Sequence, residues 1–348
     1  MSLILTRTQN LRETSNLDKN ELRPSRYGAL DIFVQQAEDP AGLLTPQLKA
    51  LAEKSIGSIL ETPVYDFNDG ITIGNTRELV IADEENTSRM YQFNFSTLSF
   101  SFTMVPAAFM NNEISMQQDF NRKMTERIYK LADVLDTMAL AALAATKTSV
   151  LRDPLYYEWA ANTIKATWAQ RENIIGSLDP MLASNDHFGN IHIVGNGGIE
   201  DLINKLKQHG GYNDVNKQLE YLNKMLHFTP RLTNASGIGA TGYAVMGGSL
   251  GVLYRFEREA ILRTKTNNGY EWDITTLPML NIPCGTYYYE SVGDFNALNG
   301  AATADLDRAR KQHFGFAVDV CFVTPYNSDP TTIANPILKL AIGKENAS

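Results

Sequence analysis

A long uninterrupted helical pattern is the feature that most constrains how this chain can fold. Residues Met116–Thr146 contain neither glycine nor proline, and their larger apolar side chains recur at a spacing that places them on one helix face. These side chains are Phe120, Met124, Ile128, Leu131, Leu135, Met138 and Leu143. At 1.5 Å per residue the predicted helix is roughly 45 Å long, far beyond the average helix of globular proteins. A helix of this length spans its domain, and Ser115 and Gln118 fit a capping box at its start.

Strand patterns precede this helix. Within Pro63–Met90, short apolar runs alternate with Asn68-Asp69-Gly70 and Gly74-Asn75, which tolerate positive φ and favour hairpin turns. Tyr91–Met104 alternates apolar with polar residues and changes phase near Ser96-Thr97, so we predict one long strand with a β-bulge. A two-stranded ribbon with so few apolar residues is marginally stable alone. We therefore expect the ribbon to lie on another surface.

The other segments predict a mixture of helices and strands, and therefore an α+β fold. Pro46–Leu60 has the pattern of a short amphipathic helix with Thr45 as its N-cap. The remaining predictions are a helix over Trp159–Leu182 broken at Pro180, a strand over Gly189–Val194, helices over Ile199–Gln208 and Val215–Met225, a strand over Phe314–Thr324, and a short apolar tail at Pro336–Ile342.

Length and composition exclude several classes of protein. With 348 residues, 43% hydrophobic and 20% charged, the chain can form a large core and about two domains. A net charge of −8 disfavours a protein whose main task is to hold nucleic acid. Cys284 and Cys321 are too few for a disulfide framework or a zinc cluster. No signal peptide and no membrane-spanning run is evident, so we predict synthesis in the cytoplasm and no membrane partner.

The strongest candidate for chemistry is Gly237–Gly242, a literal GxGxxG followed by Glu257 at the distance expected of a ribose-binding acid. The surrounding sequence does not support a dinucleotide site. No clean buried strand precedes the motif, and Gly247-Gly248 would weaken the helix that holds a pyrophosphate. A glycine-rich loop or a tight packing site is the better interpretation, with a dinucleotide-binding enzyme as the alternative.

Other candidate groups are equally weak. His187 and His192 lack further metal ligands nearby in the sequence and are interpreted as lone loop histidines. Glu257 and Glu259 are interpreted as solvated charges. Tyr287-Tyr288-Tyr289 could stack on nucleic-acid bases, although a core or subunit contact explains it better. We therefore predict no catalytic residue, no cofactor and no metal site.

The first 27 residues are polar and weakly patterned, which is typical of an extended arm that folds on a partner. The cations of this arm are Arg7, Arg12, Lys19, Arg23 and Arg26. They could contact the phosphates of DNA or an acidic surface of a neighbouring subunit. Because Glu13, Asp18 and Glu21 are mixed among them, we favour the subunit contact.

The order of these segments resembles that of tailed-bacteriophage major capsid proteins of the Hong Kong 97 fold. A polar arm with a short helix is followed by a ribbon, a long strand, a very long helix, and a mixed region that contains the strand and turn Ile191–Asn196. The resemblance covers nearly the whole chain. It rests on the order of elements and on loose matches such as the Val194-Gly195-Asn196 turn, because the family has no tight signature motif.

The resemblance implies a division of the chain. Residues 1–62 would form the N-terminal arm and short helix, and residues 63–90 the extended loop. Residues 91–150 would form the peripheral domain, with the spine helix at 116–146. Residues 151–325 would form mainly the axial domain, with residues 326–348 returning to the peripheral domain. The arm and ribbon cannot bury themselves, so neighbouring copies would complete them in a symmetric assembly.

The resemblance also implies a function. The chain would be a structural subunit that self-assembles into hexamers and pentamers of an icosahedral shell around double-stranded DNA, without sequence specificity. Its partners would be portal, scaffolding and cement proteins, and its location the virion, after assembly in the host cytoplasm. A nanocompartment shell of the same fold is an alternative, but such shells are typically shorter.

Two details of the ribbon refine this expectation. Its predicted contacts with neighbouring subunits are Asp66, Asp69, Arg77, Asp83, Glu84 and Glu85. Some relatives join subunits through a lysine of the extended loop, whereas this sequence has no lysine from Ser55 to Arg122. We therefore expect non-covalent locking or a cement protein. The short distance from the arm to the long helix leaves little room for a fused scaffold, so we expect a separate scaffolding protein.

Overall fold

A computed structural model describes residues 27–39, 42–55, 59–65, 88–106, 113–209, 224–256, 262, 269–278, 280–292 and 310–345. The helices within these residues are α1 Gly28–Glu38, α2 Pro46–Lys54, α3 Glu113–Thr146, α4 Arg171–Ser184 and α5 Gly197–His209. The strands are β1 Leu60–Tyr65, β2 Ser88–Phe93, β3 Ser96–Met104, β4 Glu158–Trp159, β5 Ile164–Ala166, β6 Ile191–Gly195, β7 Lys224–Phe228, β8 Ile238–Met246, β9 Gly251–Arg255, β10 Tyr270–Thr276, β11 Pro283–Val292, β12 Arg310–Val323 and β13 Ile337–Gly343.

The long helix α3 packs on a five-stranded sheet. The sheet has the order β10-β11-β12-β3, and β9 pairs with a second part of β12. Phe102, Phe314 and Phe316 lie on the face towards the helix, and Phe120 of α3 meets Phe102 and Phe314 edge-on at centroid distances of 5.3 and 5.2 Å. Because aromatic pairs of this geometry add to the burial of large apolar surfaces, this contact fixes the helix on the sheet.

A six-stranded sheet forms the second core. Its order is β4-β5-β13-β8-β6-β7, with parallel pairing between β13 and β5 and between β6 and β7. A two-residue turn at Ala161-Asn162, both with positive φ, joins β4 to β5, as a tight hairpin turn requires. Helices α4 and α5 bury Ile174, Leu178 and Ile203 against this sheet.

Helix α1 lies between the two sheet regions. Its Ala29, Ile32 and Phe33 are completely buried in one cluster with Leu143 of α3 and Tyr243 of β8. The ring of Phe33 meets that of Phe322 in β12 edge-on at 5.0 Å. One short helix therefore contacts the long helix and both large sheets.

The long helix agrees with the sequence pattern, although it begins at Glu113 and not at Met116. Ser115 consequently lies inside the helix. The capping-box prediction, which made Ser115 the N-cap, was wrong. The short helix begins at Pro46 as predicted, and Thr45 Oγ1 accepts a hydrogen bond from the Leu48 amide at 3.3 Å. It ends at Lys54, so Leu60 belongs to β1.

The prediction of one long strand over Tyr91–Met104 was wrong. Asn94 and Phe95 separate β2 from β3, and the two strands belong to different sheets. The change of phase near Ser96 marks this transfer, because a chain that leaves one sheet for another must reset which face is buried.

The region after α3 departs further from the sequence patterns. Trp159 lies in β4 and not in the predicted helix. Helix α4 runs from Arg171 to Ser184 and is not broken at Pro180. Met225 lies in β7 and not in a helix; residues 210–223 are outside the described ranges. The apolar tail is β13, paired with β5 and β8.

The two large sheets also cut across the ranges that the resemblance implied. Strands β9 to β12 come from residues 151–325, yet they share a sheet with β3. Strand β13 comes from residues 326–348, yet it lies in the six-stranded sheet and does not return to the sheet on α3. Strands that pair across such long distances in sequence leave no local pattern that predicts the pairing.

A pair of phenylalanine substitutions tests this core. We expect Phe120→Ala to lower the free energy of unfolding by about 3–5 kcal/mol, because it removes a completely buried ring between helix and sheet. Phe188→Ala is the matched control, since this ring is 74% exposed and should change stability by less than about 0.5 kcal/mol. Chemical denaturation of unassembled subunits measures both; equal effects would contradict the packing.

Candidate assembly site around helix α1

The predicted contact residues of the arm and ribbon lie outside the described residues. These are Arg7, Arg12, Lys19, Arg23 and Arg26 of the arm, and Asp66, Asp69, Arg77, Asp83, Glu84 and Glu85 of the ribbon. Their contacts stay a prediction. The points at which both segments leave the body are described.

The base of the ribbon is the two-stranded sheet of β1 and β2. Six antiparallel residue pairs run from Leu60 with Phe93 to Tyr65 with Ser88, and neither strand pairs with the larger sheets. Leu60 and Phe93 are buried in a cluster with Leu253 of β9. On the opposite face, Met90 is 58% exposed beside Pro63. The base is thus fixed on one face and open on the other.

Tyr27 is the last residue of the predicted arm and the first residue that the structure describes. The ring of Tyr27 is buried beneath Arg231, whose guanidinium carbon lies 4.8 Å from the ring centroid. Arg231 also pairs with Asp133 and, at 3.5 Å, with Asp136, both on α3. A cation–π contact and two carboxylates thereby hold the last residue before α1 against the long helix.

The carboxylate of Asp136 caps helix α1 from outside the helix. It is completely buried and accepts hydrogen bonds from the amides of Ala29 and Leu30 at 2.9 and 3.0 Å, and from Thr229 Oγ1 at 2.5 Å. No side chain caps α1 locally, so these first-turn amides would otherwise be unpaired. Burial raises the pKa of Asp136, whereas the hydrogen bonds from Thr229, Leu30 and Ala29 lower it.

A chain of three side chains joins α1 to the six-stranded sheet. His227 Nδ1 lies 2.9 Å from Asp31 Oδ2, and His227 Nε2 lies 3.1 Å from His192 Nδ1. Both rings are buried and stacked, with centroids 5.4 Å apart. His227 Nδ1 donates to Asp31, and the proton between the two rings lies on His192 Nδ1 or on His227 Nε2.

The interpretation of His192 as a lone loop histidine was therefore wrong. It lies in β6, and its partners are 35 residues away in His227 and, through that ring, on α1. Desolvation and, to a smaller extent, the neighbouring His227 together lower the pKa of His192 to about 4, against the opposing effects of Asp31 and Asp39. His187 lies in the loop after α4, with its Nε2 3.0 Å from the Ala334 carbonyl oxygen. Sequence spacing offered no signal for the pair formed by His192 and His227.

The Gly237–Gly242 motif forms no nucleotide loop. It enters β8 at Ile238, and β8 is followed by another strand, β9, so the strand-loop-helix that a pyrophosphate needs is not formed there. Of the two forms that the prediction allowed, a loop or a tight packing site, the motif is a closely packed strand, because a Cβ on Gly242 would lie 3.0 Å from the Val194 carbonyl oxygen. Glu257 and Glu259 lie outside the described residues.

Strand alternation divides the three tyrosines of β11. Tyr288 faces the core, with its ring 5.2 Å from that of Phe314. Tyr287 and Tyr289 lie on the other face of the sheet, where Tyr289 stacks on His313 at 4.3 Å. On this outer face they also contact Trp272 and Tyr270 of β10, at 5.8 and 4.9 Å. The outer face of this sheet therefore carries a row of partly exposed rings.

The described part of the chain contains no group of three metal-binding side chains. No helix in the same ranges is long and apolar enough to span a membrane. Cys284 and Cys321 are buried thiols that form no disulfide, and burial raises the pKa of Cys321 to about 11. The buried polar contacts of Asp136 and of the histidine pair thus converge on α1, which directly follows the predicted arm.

Substitutions of Asp136 test the external cap. We expect Asp136→Ala to lower the free energy of unfolding by about 3–5 kcal/mol, since it leaves two amides and a hydroxyl unpaired in the core. Asp136→Asn keeps one acceptor oxygen and should cost about half as much. Glu126→Ala on the exposed face of α3 is the control and should cost less than about 0.5 kcal/mol. Similar losses for Asp136→Ala and Glu126→Ala would disprove the cap.

The pH dependence of stability tests the histidine chain. The pKa of His192 in the folded state, about 4, lies below its ordinary value of 6.5, so folding favours the neutral ring. Its contribution is complete above pH 6.5 and is lost as the pH falls from 6.5 through 4. We expect the free energy of unfolding to fall by up to about 3 kcal/mol over this window. His192→Asn should flatten the slope; an unchanged slope would contradict the chain.

Comparisons with known proteins were made for sequence and for structure. No protein-family model and no curated protein sequence matches the chain. The structure titled Cyanophage Pam1 capsid asymmetric unit is similar with a TM-score of 0.50 and 11% identity over 93% of this chain and 94% of that chain. Microbacterium phage Oxtober96 gives 0.47 and 11% over 84% and 90%, and the capsid of Cyanophage P-SCSP1u gives 0.45 and 10% over 83% and 84%.

The likeness to the Pam1 capsid extends over almost the whole of both chains and concerns the fold. It agrees with the α+β class that the sequence predicts, and with the order of elements that the resemblance rests on. The chain therefore has the fold of a bacteriophage capsid protein.

Proposed function

We propose that this protein is the major capsid protein of a tailed bacteriophage, a shell subunit without catalytic activity. The observation that carries the proposal is the shared fold with the Pam1 capsid chain across 93% of this chain. A ribbon base with one open face and the polar arm predicted before Tyr27 support it. Both are means by which copies of one subunit reach each other in a closed assembly.

In the proposed assembly the subunits form hexamers and pentamers of an icosahedral shell that encloses double-stranded DNA. A net charge of −8 suits an inner surface that faces a polyanion without holding it tightly. Portal, scaffolding and cement proteins are the proposed partners, and the virion is the proposed location, after assembly in the host cytoplasm. The absence of lysine from Ser55 to Arg122 favours locking without a covalent bond from the ribbon.

We assign the named parts of the fold by their sheets. The five-stranded sheet with α3 corresponds to the peripheral domain, and the six-stranded sheet with α4 and α5 to the axial domain. The arm cations and the ribbon residues listed above are the proposed contacts with neighbouring copies. A nanocompartment shell is the second candidate, since the same fold without a DNA-packaging role would have the same subunit.

Electron microscopy of the expressed full chain tests this function. We expect icosahedral shells, or separate pentamers and hexamers, formed by the chain alone or with its scaffolding protein. Particles taken from infected cells should contain double-stranded DNA, whereas a nanocompartment would contain none. A chain that stays a monomer or dimer under all these conditions would refute both candidates.

A further inference from the structure

Two buried histidines connect helix α1 to the edge of the six-stranded sheet. His192 lies in β6 and His227 in the neighbouring edge strand β7, and their rings stack with centroids 5.4 Å apart. His227 Nδ1 lies 2.9 Å from Asp31 Oδ2 on α1, and Gln35 of the same helix donates to this oxygen at 3.0 Å. The pair therefore stands between the sheet and a carboxylate of α1.

Helix α1 begins directly on the main chain of β7. A Cβ on Gly28, the first residue of α1, would lie 2.6 Å from the Phe228 carbonyl oxygen, so no side chain fits between the helix and this strand. Phe228 follows His227 in the chain. Because closely packed elements transmit small displacements, a movement of His227 is passed on to the first turn of α1.

The geometry of the pair accepts one proton between the rings and not two. His192 Nδ1 and His227 Nε2 face each other at 3.1 Å, and one proton on either atom makes a hydrogen bond. When both rings are protonated, both of these atoms carry a proton, so two donors and two positive charges meet without an acceptor. Both rings are buried, and water therefore screens this repulsion only weakly.

The charges of α1 act against the other influences on the pair. Desolvation and the neighbouring His227 lower the pKa of His192 to about 4, while Asp31 and Asp39 of α1 oppose the shift. On the other side of β6, strand β8 places the apolar Val245 opposite His192. The charged groups on the other elements at this junction form ion pairs, namely Lys224 of β7 with Asp179 of α4, and Arg231 with Asp133 and Asp136 of α3.

We propose that His192, His227 and Asp31 form a pH-sensitive latch between α1 and the six-stranded sheet, closed while at most one ring is protonated and open when both are. In the open state the two rings separate and the start of α1 loosens from β7. The opening is local, whereas acid unfolding affects the whole chain. The inference stands apart from the proposed shell function, because it concerns the single subunit.

Hydrogen exchange followed by mass spectrometry on the full, unassembled chain tests the latch. Peptides that cover α1 report its opening, and peptides that cover α4 are the internal reference at each pH. We expect the protection of α1 relative to α4 to fall at least about tenfold between pH 6.5 and pH 4. The reference cancels the chemical dependence of exchange on pH. An unchanged ratio in the wild-type chain, or an equal loss in both helices, would overturn the latch.

Two histidine substitutions identify the group that responds to acid. His192→Asn keeps a donor towards His227 Nε2 but cannot be protonated, so the ratio should stay within about twofold over the same pH range. His187→Asn is the matched control, because His187 contacts the Ala334 carbonyl oxygen and lies outside the latch. This variant should lose α1 protection as wild type does. Retained protection in the His187→Asn variant would contradict the assignment to His192.

A second titratable group at α1 must be separated from the latch. Burial raises the pKa of Asp136, so acid also weakens the cap that Asp136 provides. If α1 of the His192→Asn variant opens at the same pH as wild type, the response belongs to Asp136 and the latch is overturned. If His192→Asn does not fold, His192→Phe takes its place, since it keeps a stacked ring that cannot be protonated, and the same outcomes decide.

Discussion

The buried carboxylate of Asp136 is the interaction on which the rest of the structure depends. It lies on α3, accepts the first amides of α1, and receives the hydroxyl of Thr229 directly after β7. The Asp136 carboxylate thus joins α3, α1 and the residue that follows β7, the edge strand of the six-stranded sheet. A charge placed there is costly unless every partner is in position, so the three elements can adopt only a narrow range of relative positions.

Helix α1 converts this constraint into a connection between the arm and the body. Its apolar face fills the space between the two cores, its first turn is capped by Asp136, and Asp31 reaches the histidine pair in the six-stranded sheet. Its C-terminal end lines a small cleft together with α2 and β9.

The parts that sequence predicted well are those with a local pattern. The periodicity of Phe120 to Leu143 predicted α3, and the alternation of Phe314 to Thr324 predicted most of β12, which runs from Arg310 to Val323, because each pattern is repeated several times within one element. The order of elements also pointed to the fold. Local sequence patterns were insufficient where strand pairing decides the secondary structure. Trp159 and Met225 lie in strands, and the C-terminal tail is an inner strand between β5 and β8. Asp136, His192 and His227 were missed as a site because their partners are between 35 and 196 residues away in sequence.

The external cap on α1 also sets the order of events during synthesis. The arm and α1 are made first, but the cap of α1 needs Asp136 and the bond to Thr229, which follows α1 by about 200 residues. At the usual rates of translation this interval lasts roughly 10–40 s. Throughout this interval, α1 lacks the complete cap that Asp136 and Thr229 provide in the folded protein. The complete cap of α1 can therefore form only after the residues of both cores have been synthesised.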